Sequence, residues 1–114
     1  MLSRKYRLRK NKEFNFVYKN GKSVGSKLIT FFYVKTNWRP NKFGFSISNK
    51  LGNSVVRHKL IRRLTEIVRP YITKLNPRYN YVFIAKKGLE ELSFAELKQK
   101  VEHILNKSEM LKSV

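Results

Sequence analysis

Apolar and polar residues recur with different spacings along this chain, and each spacing predicts a different element of structure. Near the start of the sequence, Phe14, Val17 and Tyr18 lie at i, i+3 and i+4, the spacing of one face of an α-helix. Asn11 is the predicted cap of this helix and Gly21 is its predicted end. The first element is therefore a short amphipathic helix.

Four later segments have the pattern of β-strands. Residues 28–35 are rich in β-branched and aromatic side chains at both odd and even positions, so both faces of the strand are apolar. This predicts a largely buried strand. Residues 79–85 form an apolar run that predicts a central strand, and residues 22–26 predict a short edge strand. The remaining strand has one packed face and one small polar face, because apolar and small residues alternate in it: Phe43, Phe45 and Ile47 against Gly44, Ser46 and Ser48.

Two further helices are predicted from a period of 3.6 residues. The first follows Asn53, and its apolar arc contains Val56, Leu60, Leu64, Ile67, Val68 and Tyr71. Its outer arc is mostly cationic and contains His58, Lys59, Arg62, Arg63, Glu66 and Arg69. The last helix follows Ser93, which is predicted to form a capping box with Glu96. Its core stripe contains Phe94, Leu97, Val101, Ile104 and Leu105.

These elements predict one domain. A chain of 114 residues buries enough apolar surface for a single core, so residues 1–114 are read as one unit. The element order αβββαβα gives an α+β fold with helices packed on a central sheet. Residues 1–10 are predicted to form a basic arm, and residues 108–114 are predicted to fray.

The charge balance narrows the choice of partner. Lys and Arg total 26 against 7 acidic residues, all of them Glu, for a formal net charge of +19. This surplus attracts polyanions, so a nucleic acid is the expected partner, with an anionic membrane or an acidic protein as the alternative. No segment has the pattern of a membrane span or a signal peptide, and the absence of Cys permits a reducing compartment. We therefore expect a cytoplasmic protein whose partner is a nucleic acid and not a membrane.

Few residues in the chain could carry catalysis. The only histidines are His58 and His103, in different predicted helices, and neither Asp nor Cys is present to complete a triad or a metal site. We predict no catalytic residue and no metal ligand in the protein. A protein-only nuclease that uses both histidines stays open as an alternative.

The cationic helix is the strongest candidate for a binding surface. It begins after Gly52 and Asn53, where free backbone N–H groups and the positive helix end attract phosphate. Arg57 falls within the apolar arc, so its side chain should project past the core edge toward the sheet. There it could grip a phosphate or a base, or instead pair with a Glu or a carbonyl at the helix start. Aromatic residues that could stack on single-stranded RNA beside this helix are Phe14, Tyr18 and Phe32.

The same residues carry a family resemblance that extends over nearly the whole chain. The chain resembles the protein subunit of bacterial ribonuclease P. The run Gly-Asn-x-Val-x-Arg before a basic helix is the most specific part of the match. The matching segments are Arg7-Leu8-Arg9-Lys10-Asn11, Glu13-Phe14, residues 17–21, residues 45–48, residues 50–57, Arg62-Arg63-Leu64 and residues 83–86.

This resemblance implies both a fold and a function. The implied fold is a sandwich with a left-handed βαβ crossover, similar to ribosomal-protein and elongation-factor G domains. The implied function is that of a non-catalytic cofactor of a catalytic RNA, which removes the 5′ leader of precursor tRNA with magnesium bound mainly by the RNA. The partners are then the catalytic RNA and precursor tRNA, with a weak homodimer left open. The alternative is a ribosomal or general RNA-binding protein without a processing role.

The resemblance also divides the candidate residues between two surfaces. By position, the resemblance implies that Phe14, Tyr18 and Phe32 line the leader cleft, and our predicted cleft also contains Arg57 and, from the small polar face of their strand, Ser46 and Ser48. The resemblance implies that Arg57, Lys59 and Arg62 face the catalytic RNA. Our predicted surface for this RNA also contains other residues of the cationic helix and of the loop before it: Lys50, Asn53, His58, Arg63 and Arg69. The Arg-Asn-Arg signature of the family reads Arg57-His58-Lys59 in this chain, Ile61 stands at a usually basic position, and Phe32 stands where Tyr is familiar.

Overall fold

A computed structural model describes residues 4–37 and 41–112 of the chain, without the side chain of Arg4. Residues 1–3 of the predicted arm and residues 113–114 of the predicted frayed end lie outside this description. The described helices are α1 (Asn11–Asn20), α2 (Ser54–Val68) and α3 (Phe94–Ser108). The described strands are β1 (Lys22–Gly25), β2 (Ile29–Lys35), β3 (Lys42–Ile47) and β4 (Tyr79–Ala85). This is the predicted order of elements.

The four strands form one sheet in the order β1-β2-β4-β3. β1 pairs with β2 and β2 with β4 in antiparallel fashion, whereas β3 and β4 are parallel. The prediction that β4 is central is confirmed. Because α2 connects two parallel strands, β3-α2-β4 is a βαβ unit, and the hand of its crossover stays a prediction.

Helices cover both faces of this sheet. On one face, α2 and α3 enclose a core in which the Phe31 and Phe43 rings stack on Tyr81, with ring centroids 5.5 and 5.2 Å apart. On the other face, α1 packs on β2 and β4, and Val17 joins Leu8, Val34 and Val82 in a smaller buried cluster. The predicted α+β sandwich is therefore confirmed, with α1 alone on the second face.

The start of α1 differs by one residue from the prediction. Asn11 is the first helical residue, and Lys10 occupies the cap position. The carboxylate Oε1 of Glu13 accepts hydrogen bonds from the backbone N–H of Lys10 at 3.0 Å and of Arg9 at 3.2 Å. The prediction of Asn11 as cap was wrong because a Glu three residues beyond Lys10 reaches back to these donors. The predicted end at Gly21 is confirmed.

The start of α3 agrees with the prediction except at one residue. Ser93 Oγ accepts from the backbone N–H of Glu96 at 3.2 Å, and Glu96 Oε1 accepts from the N–H of Ser93 at 3.0 Å. This is the predicted capping box. The core stripe is buried as predicted except for Phe94, which is 44% exposed. Phe94 is the first residue of the helix. The direction of its side chain therefore depends on the exact position at which the helix begins, and here the ring lies outside the core.

Fraying was predicted from residue 108 onward, but the chain is held in place through residue 112. Ser108 is buried, and Leu111 forms a β-bridge with Leu75 in the loop between α2 and β4. Backbone hydrogen bonds of 2.8 Å join Asn76 N–H to the carbonyl of Met110, and Lys112 N–H to the carbonyl of Lys74. Fraying was predicted because local periodicity carries no signal for a pairing with residues so far away along the chain.

The inner end of the basic arm is attached to the sheet. Arg7 forms an isolated parallel β-bridge with Phe43, and the N–H of Leu8 donates a hydrogen bond to the carbonyl of Phe43 at 2.9 Å. Leu8 is buried, as its apolar character in a basic segment suggested. Within residues 4–37 and 41–112, no helix has the length and hydropathy needed to cross a membrane.

Candidate nucleic-acid interface

The three aromatic residues predicted to stack on RNA come together on the sheet face beside α1. The ring centroids of Phe14 and Tyr18 are 6.4 Å apart, and those of Tyr18 and Phe32 are 5.2 Å apart with the rings edge to face. Phe14 and Tyr18 lie one turn apart on α1, which places both on the same side of the helix. All three are half-buried and pack against the smaller apolar cluster. Their rings are therefore held in place and remain partly open to solvent.

The register of the strands defines the floor next to these rings. Phe32, Val82 and Gly44 form one row across the sheet, and Thr30, Ile84 and Ser46 form the next row on the same face. The residues of these two rows are small or aliphatic apart from Phe32. We call the surface bounded by Phe14, Tyr18, Phe32, Ile84 and Ser46 the aromatic cleft. Ser46 thus lies on the same sheet face as Phe32, and its contribution to leader binding stays a prediction.

Ser48 has a local role in the structure. Its Oγ accepts from the backbone N–H of Lys50 at 3.2 Å and caps the short 3₁₀ helix Asn49–Leu51. The predicted contribution of Ser48 to leader binding is not tested by this contact and stays a prediction. Lys50 is exposed, and its carbonyl accepts from Lys87 Nζ at 3.1 Å.

The start of α2 has the features expected of a phosphate-attracting helix end. Asn53 is the N-cap, and its Oδ1 accepts from the N–H of Val56 at 3.0 Å. Gly52 has φ of 143°, which favours glycine, and a Cβ there would lie 3.0 Å from the Val56 side chain. The side-chain oxygen of Asn53 is therefore used by the helix itself, while the residue remains exposed.

Arg57 lies in the first turn of α2 and is half-buried. Its Nε donates to the carbonyl oxygen of Gly52 at 3.2 Å, which is the carbonyl contact that the sequence left open as an alternative. Within the described residues, its two terminal nitrogens have no protein partner. One bond thus positions the guanidinium, and the remaining fork is available for a bidentate contact with phosphate.

The remaining cations of α2 do not form one surface. His58, Lys59 and Arg62 are exposed, as the predicted outer arc requires. Arg63 is half-buried, and its Nη1 donates to the carbonyl of Leu92 at 3.4 Å, so it faces the segment before α3. Arg69 forms an ion pair with Glu66. The predicted contacts of Arg63 and Arg69 with RNA stay predictions, and both side chains have protein partners.

Lys87 is a cation near this site that the sequence pattern did not single out. It follows β4, whose last residue, Ala85, pairs with Ile47 at the end of β3. Carboxyl ends of parallel strands meet at the same edge of a sheet, so the Lys86-Lys87 pair after a predicted central strand was the available signal. The side chain of Lys86 points to a different part of the fold than that of Lys87: its Nζ donates to the carbonyl of Ser26, after β1, at 2.8 Å, whereas Lys87 Nζ donates to the carbonyl of Lys50.

Two arginines of the basic arm also adjoin the site. Arg7 and Arg9 line a cleft of about 180 Å³ together with Phe14, Ile61 and Thr65. The Nε of Arg7 is buried and has no hydrogen-bond partner among the described residues. The arm therefore adds cationic groups between α1 and α2.

Most of the positive charge of the protein is not neutralised within the fold. Among the described residues there are two ion pairs, Lys42 with Glu13 and Arg69 with Glu66, against a formal net charge of +19. The histidines are both exposed, and neither ring makes a hydrogen bond with the described residues. No group of three or more His, Asp, Glu or Cys side chains that could hold a metal occurs in the described ranges. The groups assembled here are cations and aromatic rings, which bind polyanions.

Fold and site together define a class of small, strongly basic α+β domains with a sheet face open beside an aromatic helix. The Ribonuclease P family model matches residues 2–109. The ribonuclease P protein component of Caldanaerobacter subterraneus subsp. tengcongensis is 37% identical over 102 residues, covering 90% of this chain and 88% of that protein. The corresponding protein of Clostridium botulinum is 36% identical over 103 residues, covering 90% and 93%.

Solved structures agree with the sequence comparisons. The RNase P protein of Staphylococcus aureus has a TM-score of 0.87 at 25% identity and covers 94% of this chain and 98% of that chain. The RNase P protein of Thermotoga maritima, solved with 1-(4-fluorophenyl)-2-thiourea, has a TM-score of 0.80 at 26% identity, with coverages of 89% and 98%. The chain belongs to the family of bacterial ribonuclease P protein subunits.

Proposed function

We propose that this chain is the protein cofactor of a ribonuclease P ribozyme in the cytoplasm, where it promotes removal of the 5′ leader from precursor tRNA. It binds the catalytic RNA and the leader, and the RNA carries the chemistry. The observation that supports this most directly is the aromatic cleft, in which the ring centroids of Tyr18 and Phe32 are 5.2 Å apart and both rings are partly open to solvent. The protein that carries this cleft has a formal net charge of +19. Rings beside cations are the usual means of holding single-stranded RNA.

The leader is proposed to lie in the aromatic cleft. A leader is single-stranded, so its bases can turn toward the protein and stack on exposed parts of the Phe14, Tyr18 and Phe32 rings. Ser46 keeps the floor low beside Phe32 and Ile84, where a strand of RNA must approach the sheet, whereas Gly44 lies beneath the Phe14 ring and lets that ring pack close to the sheet. Stacking tolerates every base, so the cleft would accept leaders of different sequence.

The catalytic RNA is proposed to meet the exposed polar face of α2, on which Lys59 and Arg62 are cationic. His58, Lys59 and Arg62 lie on the outer side of the helix, and Lys87 adds a charge beside the loop that precedes it. Arg57 would contact phosphate at the helix start, where the helix dipole adds to its charge. Its terminal nitrogens suit a bidentate contact, which a lysine could not make.

Magnesium is proposed to be bound mainly by the RNA partner. The described residues do not provide a carboxylate cluster that would hold the ion by itself. The contribution of the protein is instead to offset phosphate repulsion where leader and catalytic RNA approach one another. Less magnesium is then needed to bring the two RNAs together.

A reconstitution assay tests this function. Precursor tRNA with a long leader is incubated with the catalytic RNA from the same organism at low magnesium, with and without the protein. The expected result is faster cleavage with the protein, and a smaller acceleration when the leader is shortened to one nucleotide. Equal rates with and without protein would contradict the proposal.

The same assay separates the alternatives. An acceleration that does not depend on leader length would favour a general RNA-binding protein that acts through charge. Cleavage by the protein without any RNA partner would favour a nuclease that uses His58 and His103. A His58→Gln variant then reports whether such cleavage belongs to the protein or to a contaminant.

A further inference from the structure

Helix α1 presents a third aromatic side chain, that of Phe16, on the side away from the aromatic cleft. Lys12, Phe16 and Asn20 lie at i, i+4 and i+8, so they form one stripe along the helix. Phe16 is 49% exposed, although the helix packs on the sheet through Val17 at its centre. Because Phe14 and Tyr18 line the opposite side, α1 separates two surfaces of the same sheet face.

The second surface is a concave groove of about 740 Å³. Its floor comes from the sheet row that pairs Asn80 of β4 with Val34 and Lys42. Phe16 and Lys12 form one wall, and Lys35, at the end of β2, lies on the other side. A nucleotide-sized ligand fits a groove of this volume.

The charge in this groove is positive. Lys12, Lys35 and Lys42 line it with a single carboxylate, that of Glu13. Glu13 is already engaged: its Oε2 lies 3.7 Å from Lys42 Nζ, and its Oε1 accepts the two backbone bonds at the start of α1. Partial burial raises the pKa of Glu13, but these N–H donors and Lys42 outweigh it and hold the pKa below its usual value. The carboxylate thus stays ionised, and its charge is engaged by Lys42 and by the two backbone N–H groups.

Asn80 supplies a group that could read a base. Its side chain is half-buried in the floor and makes no hydrogen bond with the described residues. A carboxamide offers both donor and acceptor to a base edge. An aromatic ring, a carboxamide and surrounding lysines are the components of a nucleotide site.

We propose that this groove is a second binding site for single-stranded RNA, distinct from the aromatic cleft. A base stacks on Phe16, its edge bonds to Asn80, and Lys12, Lys35 and Lys42 contact the adjoining phosphates. Phe16 also borders a further hollow of about 570 Å³ lined by Lys22, Tyr33 and Tyr79. A strand of RNA bound at Phe16 therefore has room to continue from the groove toward Lys22, along the side of α1 that lies away from the aromatic cleft.

Residue-resolved NMR with the full chain tests this site. The probe is a short unstructured RNA of alternating cytidine and adenosine, and inorganic phosphate at matched ionic strength is the charge-only control. With RNA, we expect shifts at Phe16, Lys35 and Asn80, including the Asn80 side-chain amide, in addition to shifts at Tyr18 and Phe32. Phosphate should move the lysine signals and leave the Asn80 side chain unchanged.

Two alanine variants of exposed phenylalanines make the test specific. Phe16→Ala should weaken RNA binding reported by Lys35 and Asn80 roughly 5- to 150-fold, the effect of removing one stacked base, and leave the Tyr18 and Phe32 signals responsive. Phe94→Ala removes a ring of similar exposure on α3 and should change neither set. Both rings are nearly half exposed and neither belongs to a buried core cluster, so the fold should be kept, which the spectra report directly.

The outcomes separate this site from the proposed leader cleft. The second site is rejected if RNA shifts only the cleft residues, if Phe16→Ala leaves the groove signals unchanged, or if phosphate alone reproduces the shifts at Asn80. If the groove signals respond and those of Tyr18 and Phe32 do not, the second site stands and the proposed leader cleft is the one in error.

Discussion

The ring of Phe14 lies directly against the backbone of Gly44: a Cβ atom on Gly44 would come within 2.5 Å of Phe14 Cε1. The same Cβ would also lie 3.2 Å from Leu8 Cδ1, so the ring cannot simply move toward the arm. The substitution Gly44→Ala should therefore displace Phe14 from the aromatic cleft. We expect the free energy of unfolding to fall by about 1–3 kcal/mol, measured by urea denaturation, together with weaker leader binding.

Gly25→Ala is the matched control for that substitution. Gly25 lies on the exposed edge strand β1, where a Cβ would meet only Thr30 Oγ1 at 3.7 Å. The free energy of unfolding should stay within about 0.5 kcal/mol of the unchanged protein. An equal decrease in both variants would show that glycine itself, and not the contact with Phe14, determines the effect.

Replacing Tyr18 separates stacking from packing in the aromatic cleft. Tyr18→Leu keeps an apolar side chain against the smaller cluster but removes the ring, so leader binding should weaken by about 1–3 kcal/mol. Tyr18→Phe keeps the ring and should bind the leader nearly as well as the unchanged protein. Affinities for precursor tRNA with long and one-nucleotide leaders provide the measurement. A similar weakening for both leader lengths would argue against leader stacking at Tyr18.

Arg57 should contribute to RNA binding through its fork as well as its charge. Arg57→Ala should reduce the slope of log K against log salt for the catalytic RNA by about 0.7–0.9 for each phosphate that the guanidinium neutralises. Arg57→Lys should restore most of the slope but not the affinity, because lysine lacks the Nε bond to Gly52 and the bidentate geometry. Lys100→Ala, which removes an exposed charge from α3, is the control. The same slope for Arg57→Ala and Lys100→Ala would reduce the role of Arg57 to general charge.

Tyr71 should make stability depend on alkaline pH. Its hydroxyl donates to Glu102, and this bond, with partial burial and the nearby negative charge, raises the pKa of Tyr71 to about 12. Below pH 10 the proton is bound in both the folded and unfolded states, so the stabilisation is complete. Between pH 10 and about 12 the unfolded chain loses this proton first, so stability falls as pH rises.

Comparing the protein with Tyr71→Phe isolates this group, since lysine titration is common to both. Stability against urea should decline less steeply between pH 10 and 12 in Tyr71→Phe. The absorbance titration at alkaline pH should also lack one late tyrosinate step. Parallel declines in stability would show that Tyr71 titrates in the same way in the folded and unfolded states.

Much of the fold could be predicted because its elements have clear local signals. Each helix and strand was identified from apolar spacing, and the cap at Ser93 and the stop at Gly21 come from chemistry within one turn. The trio Phe14, Tyr18 and Phe32 was selected from spacing and the family resemblance, and the structure brings it together.

What could not be predicted depends on contacts between distant segments. Nothing local to Leu111 shows that it pairs with Leu75, and nothing local to Arg63 shows that the carbonyl of Leu92 lies within its reach. A helical wheel also loses meaning at a helix start, which is why it placed Phe94 in the core and gave two readings of Arg57. The groove beside Phe16 requires the strand register, which apolar spacing alone does not define.

The position of β4 between β2 and β3 affects how the chain is made. β2 and β3 both pair with β4 and not with each other, yet both precede it in the sequence. Synthesis proceeds from the N-terminus, so α2 leaves the ribosome before the strand that completes its sheet. Ile29, Phe31 and Phe43 are made before α2, but Tyr81, Phe83 and the core residues of α3 are made after it, so this strongly basic helix can bury its apolar arc fully only once the last third of the chain has been synthesised.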